Sequence, residues 1–94
     1  MASFTVRVEL HDGNWADYQS LHGAMERKGF SRQIVSDDGK TYQLPMAEYT
    51  GSGNVDSSRV LDIAREAANS TGRKNAVLVS ESTSRRWIGL EIVG

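Results

Sequence analysis

Apolar and polar residues alternate from Phe4 to His11. Phe4, Val6, Val8 and Leu10 fall on one side, and Thr5, Arg7, Glu9 and His11 on the other. A period of two predicts a strand with one buried face. His11-Asp12-Gly13-Asn14 then reads as a turn, and Asn14 is placed to cap a helix with Asp17 in a capping-box position. Trp15, Tyr18, Leu21, His22 and Met25 recur at helical spacing, and Trp15, Tyr18 and Phe30 are expected in the core. Lys28-Gly29-Phe30 closes that helix with a cation, a glycine for the left-handed position and an apolar residue to pack back.

A short strand is predicted from Ser31 to Val35, a hairpin turn at Asp37-Asp38-Gly39-Lys40, and a returning strand from Thr41 to Tyr49. Pro45 lies inside that last strand and has no N–H, so the strand must bulge or lose its neighbour there. Gly51-Ser52-Gly53-Asn54 reads as a flexible loop. Asp56 or Asn54 caps a second helix, with Val60, Leu61, Ile63, Ala64, Ala67 and Ala68 on or near its buried face, and Gly72 ends it. Asn75 to Ser82, with Ala76-Val77-Leu78-Val79 at its centre, is expected as a well-buried strand, and Trp87 to Val93 as a last one.

The order is β-α-β-β-α-β with an additional C-terminal strand. Its first six elements are those of the α+β, ferredoxin-like βαββαβ sandwich. One domain is expected over residues 1–94, with an antiparallel sheet and both helices on one face. Numbering the predicted strands along the chain, the expected sheet order is 4-1-3-2, with the fifth near an edge.

This topology sends the charges to two ends of the sheet. His11, Asp12, Asp17, Asp37, Asp38, Lys40, Arg73 and Lys74 are expected at one. Arg27, Lys28, Arg32, Arg59, Arg85 and Arg86 are expected at the other, with the Gly51–Asn54 loop and the start of the second helix. Lys and Arg number 11 against 12 Asp and Glu, a net charge of −1, so indiscriminate DNA coating is not expected. A local basic end is compatible with that sum, and the forked guanidinium suits phosphate. The competing reading is a set of solvated surface arginines. The chain has no cysteine, which excludes disulfides, Cys-ligated metal centres and thiol catalysis. No apolar run approaches the ~20 residues of a membrane helix, and the amphipathic start is not a signal peptide, so a cytoplasmic location is expected.

His11 and His22 are the side chains that titrate near neutrality in the ordinary case, and so the first acid–base candidates. His22 falls between Leu21 and Met25 and reads as a packing residue. His11 lies next to a turn, beside Asp12, and the pair is the catalytic candidate. Asp37 and Asp38 suit a hard cation such as Mg²⁺, but Asp before Gly is also ordinary turn chemistry, and no metal site is assigned. The sequence specifies no cofactor. Gly-x-Ser-x-Gly, Walker and RRM signatures are absent. Tyr49 and Trp87 are candidates for an exposed aromatic surface.

Several stretches carry a resemblance. They are Phe4 to Asp12, Tyr18, Leu21-His22, Met25-Glu26, Gly29-Phe30-Ser31-Arg32, Ser36 to Lys40, Tyr42 to Pro45 and Ala47-Glu48-Tyr49. Together they resemble a small bacterial family, once a domain of unknown function, grouped with the GhoS-type endoribonuclease antitoxins of type V toxin–antitoxin systems. In length and element order the resemblance covers almost the whole chain. It implies a ferredoxin-like fold and a metal-dependent or metal-independent RNase that cuts a toxin message. RNA is then the expected partner, held by Arg27, Arg32, Arg59, Arg85 and Arg86. The alternative is a non-catalytic homodimer formed through a sheet edge or through the face carrying Tyr49 and Trp87. On the RNase reading the charge split suggests that two copies would bring one molecule's basic end near the other's acidic end.

Overall fold

The computed structural model describes residues 2–93, so Met1 and Gly94 of the expected domain lie outside the described residues. The fold is α+β. Its elements are β1 (Ala2–Leu10), α1 (Trp15–Arg27), β2 (Gln33–Val35), β3 (Thr41–Gln43), β4 (Glu48–Gly53), α2 (Ser57–Asn69) and β5 (Asn75–Glu81).

The alternation of β1 does what its period requires. Phe4, Val6, Val8 and Leu10 are all buried, each worth roughly 1.5–3 kcal/mol of transfer free energy. They share one core with Leu21 and Met25 of α1, Tyr49 of β4, and Val60, Ala64, Ala67 and Ala68 of α2. Both helices therefore cover the same face of the sheet. The alanines of α2 let its backbone approach closely. Both helix starts are capped as their sequences suggest. Asn14 Oδ1 accepts from Asp17 N at 2.8 Å while Asp17 Oδ2 accepts from Asn14 N at 3.0 Å. Asp56 Oδ1 accepts from Arg59 N at 2.9 Å.

β1 is the centre of an antiparallel sheet in the order β4-β1-β5, and β2 and β3 form a separate two-stranded hairpin. The hairpin is tied to the larger sheet at Thr50 of β4, which Ser31, just before β2, bridges through hydrogen bonds of 2.8 and 2.7 Å, and whose Oγ1 donates to Gln33 O at 2.9 Å.

Five local expectations change. The strand expected over Thr41–Tyr49 is two strands in two sheets. Pro45 offers no N–H, its carbonyl accepts from Glu48 N, and Ala47 sits at φ +73, so the chain turns between β3 and β4. The expected Gly51–Asn54 loop is instead largely strand, because β4 runs to Gly53 and pairs Gly51 with Phe4. Trp87–Val93 is not a strand. Its backbone pairs with β3 at the isolated Tyr42–Ile92 bridge, and Gly89 at φ +83 turns it. β5 is not buried on both faces: it is an edge strand, and Leu78 is 62% exposed on the face away from the helices. Trp15 is 71% exposed, because the core-facing side of α1 starts one turn later at the half-buried Tyr18, whose hydroxyl accepts from Leu10 N at 3.1 Å.

Candidate functional site

The chain after β5 crosses the face of the sheet that the helices leave open. Arg85 Nε donates to Thr5 Oγ1 at 2.8 Å, and Thr5 stands on the side of β1 opposite Phe4 and Val6. The hairpin approaches from the β4 side, because Ser31 is bridged to Thr50. Between hairpin, sheet and C-terminal segment lie three hollows of about 440, 450 and 320 Å³ that share Ile34 and Arg85 in their walls. Together they form one open groove.

The groove combines a cationic fork, an aromatic pair and hydroxyls. Arg85 and Arg86 line it together with Trp87. The Trp87 ring stands edge-on to Tyr42, with centroids 5.5 Å apart and planes at 67°. Ser3, Ser36, Ser82, Thr83 and Ser84 supply hydroxyl groups. Arg85 Nη2 is buried and has no hydrogen-bond partner among the described residues, whereas its Nε is held by Thr5. A buried donor without a partner costs about 1–3 kcal/mol.

Asp37 and Asp38 line the same groove. The expected separation of Asp37 and Asp38 from Arg85 and Arg86 therefore does not hold. The turn at Pro45 detaches the hairpin from the large sheet, and the hairpin tip comes over to the C-terminal segment. The hydrogen bond from the Ser36 hydroxyl, then that from Lys40 N, holds the Asp38 carboxyl below its ordinary range. Its role in the turn is structural.

The other expected site residues are spread over the surface. Arg27 is exposed at the end of α1, in a shallow hollow with Lys28, whose Nζ is 3.0 Å from Glu66 Oε1. Arg59 is exposed in the first turn of α2. Arg32 is half-buried, and its charge acts on His22 and Tyr49, which places it toward the core. Its Nε has no partner among the described residues. His11 and Asp12 are exposed at the far end of β1, where His11 N donates to Lys74 O at 2.7 Å. Six residues of strand separate His11 from Thr5, so the pair lies about 20 Å from the Arg85 anchor. Among the described residues no cluster of three or more His, Asp or Glu side chains could hold a metal ion.

His22 and Tyr49 form a buried polar pair in the core, with Nδ1 and the hydroxyl 2.6 Å apart. Tyr49 is fully buried, so it cannot form the exposed aromatic surface expected of it. Burial, and then the charge of Arg32, lowers the pKa of His22 below its ordinary 6.5. Burial raises that of Tyr49. The pair holds the core together and faces no groove.

The groove itself escaped the sequence reading. The available signal was the run Ser82-Thr83-Ser84-Arg85-Arg86-Trp87, which sets hydroxyls, cations and an aromatic ring side by side. Searched against protein-family models and against curated proteins, the chain matches none. Among the described residues no helix is long and apolar enough to cross a membrane.

Proposed function

We propose that the chain is an RNA-binding protein of ferredoxin-like plan that holds single-stranded RNA in the groove beneath Arg85, Arg86 and Trp87, and acts on it as an endoribonuclease antitoxin does. The observation that carries this reading is the groove wall itself, where Arg85 and Arg86 stand beside an edge-on aromatic pair. Guanidinium groups take phosphate oxygens and aromatic rings stack bases, which together is the usual equipment of single-strand recognition. The order β5-β1-β4, continued by the Ser31–Thr50 bridge, supports the ferredoxin-like plan, with β4 in the place of its third strand. The antitoxin reading rests on the family resemblance, and His11 with Asp12 remains its catalytic candidate.

The test is a salt titration of binding to a short single-stranded RNA. Arg85→Ala and Arg86→Ala are each expected to lower the slope of log K against log salt by about 0.7, with Trp87 fluorescence quenched on binding. Binding without salt dependence removes the electrostatic basis of the proposal. Cleavage that survives both His11→Ala and Asp12→Ala removes that pair from the chemistry.

The non-catalytic homodimer is the second reading. The observation that favours it is the bare edge of β5.

A further inference from the structure

The phase of hydrogen bonding along β5 can be read from its two ends. Ser82 N donates to Ser3 O at 2.8 Å, and His11 N donates to Lys74 O at 2.7 Å. With the register Leu10↔Asn75 to Phe4↔Glu81, these bonds place the main-chain groups of Ala76, Leu78 and Ser80 toward β1. Those of Asn75, Val77, Val79 and Glu81 therefore point out of the sheet. No strand among the described residues pairs with that edge. The opposite edge, at β4, is already met by Ser31.

We propose that β5 pairs antiparallel with β5 of a second copy, about a two-fold axis through Leu78. Such an axis sets Val77 opposite Val79 and Asn75 opposite Glu81. These are the residues whose N–H and C=O groups point outward, so every outward group finds a partner, roughly eight bonds in all. The sequence is self-matching about the axis: Ala76-Val77-Leu78-Val79-Ser80 runs small, branched, Leu, branched, small. No charge lies between Asn75 and Ser80, and Glu81 meets an uncharged Asn75, so no like charges oppose each other. Leu78, 62% exposed, meets Leu78 of the partner subunit in a non-hydrogen-bonded pair, where side chains come closest. A second copy accounts for the pairing with no further sequence, whereas an open apolar edge is otherwise an aggregation hazard.

The pairing also joins the two halves of the candidate site. Ser82 falls level with Lys74 of the partner subunit, which in turn lies beside His11 of the partner subunit. Two strand spacings put that histidine about 10 Å from Ser82, at the root of the Arg85–Arg86 segment. The acid–base pair and the basic groove, some 20 Å apart within one chain, thus approach each other across the dimer. This consequence rests on the RNA reading; the dimer does not.

The chain has no cysteine, so single introduced cysteines report cleanly. Leu78→Cys is expected to oxidise to a covalent dimer, because a non-hydrogen-bonded pair has Cα atoms about 4.5 Å apart, within disulfide range. Ala76→Cys and Ser80→Cys should link poorly alone and well when mixed. One strand pair buries less than the ~1,200 Å² of standard interfaces, so the unmodified chain should associate in the micromolar range by sedimentation. Leu78→Lys and Leu78→Glu should each be monomeric and should pair when mixed. An unmodified chain that stays monomeric to high micromolar concentration overturns the proposal. So does Leu78→Cys linking no better than Ala76→Cys, or an open-ended ladder of oligomers. None of these readouts involves RNA, so the dimer is judged apart from the RNA reading. A bismaleimide of ~10 Å span joining His11→Cys to Ser82→Cys in a mixed dimer tests the shared site, and failure to join them removes it.

Discussion

Tyr49→Phe removes one oxygen from the core and nothing else. The phenyl ring keeps the apolar contacts with Val6 and its neighbours, so no large cavity opens. What changes is His22, 6% exposed, whose Nδ1 loses the hydroxyl 2.6 Å away. Leaving a buried nitrogen unpaired costs about 1–3 kcal/mol. For a domain of this size that lowers Tm by roughly 4–8 °C per kcal/mol. Urea unfolding at about pH 7.5, where the ordinary histidine is neutral, should show a lower midpoint with an unchanged slope. Tyr49→Phe with His22→Leu should recover part of the loss, because no polar atom is then stranded. A single variant within about 0.5 kcal/mol of the parent would refute the reasoning, since that is the scatter of an ordinary surface substitution.

The same pair sets a pH dependence. Burial holds the folded pKa of His22 below 6.5, so the unfolded chain binds the extra proton first, and stability should fall as pH drops below 6.5 until the folded value is reached. Stability that stays level from about pH 7.5 to 5.5 would show that His22 is not buried as a neutral ring. Gly51→Ala should cost about 1–3 kcal/mol in thermal unfolding, because a Cβ there would sit 2.8 Å from Cδ1 of the buried Phe30 ring. Asn14→Ala should cost about 1 kcal/mol and fray the start of α1, seen as faster amide exchange at Asp17. Asp17 is held below 3.8 chiefly by the Asn14 N–H, so its contribution should be present above pH 3.8 and fade as acid titration passes its folded value.

The elements that announced themselves are those whose signals are local. The alternation from Phe4 to Leu10, the Asn14–Asp17 capping box and the Ala64, Ala67, Ala68 face of α2 all fold where their patterns put them. Each depends on a few neighbours in the chain. The Thr41–Tyr49 segment also held its own warning in Pro45, but a missing N–H shows only that a strand is interrupted. Where the chain goes afterwards depends on Val8, which donates to Ala47 O, and on Thr50, which binds Ser31. Neither partner is near in sequence.

The candidate site shows the same division. The residue types for an anionic ligand stood in plain view as Arg85-Arg86-Trp87. Their grouping with Ile34 and Tyr42, and the anchoring of Arg85 on Thr5 eighty positions away, come from the C-terminal segment crossing the open face of the sheet. The sequence by itself determined which side of β1 is apolar, where both helices begin, and that no thiol chemistry is present, because these follow from period, capping and composition. Only the tertiary structure decided that β5 is an edge, that Tyr49 is buried and Trp15 is not, and that Asp37 and Asp38 line the same groove as Arg85 rather than lying with His11. Side-chain pattern specifies that a face must be covered. Which distant segment covers it is decided by the competition among all the faces of the chain for the same core.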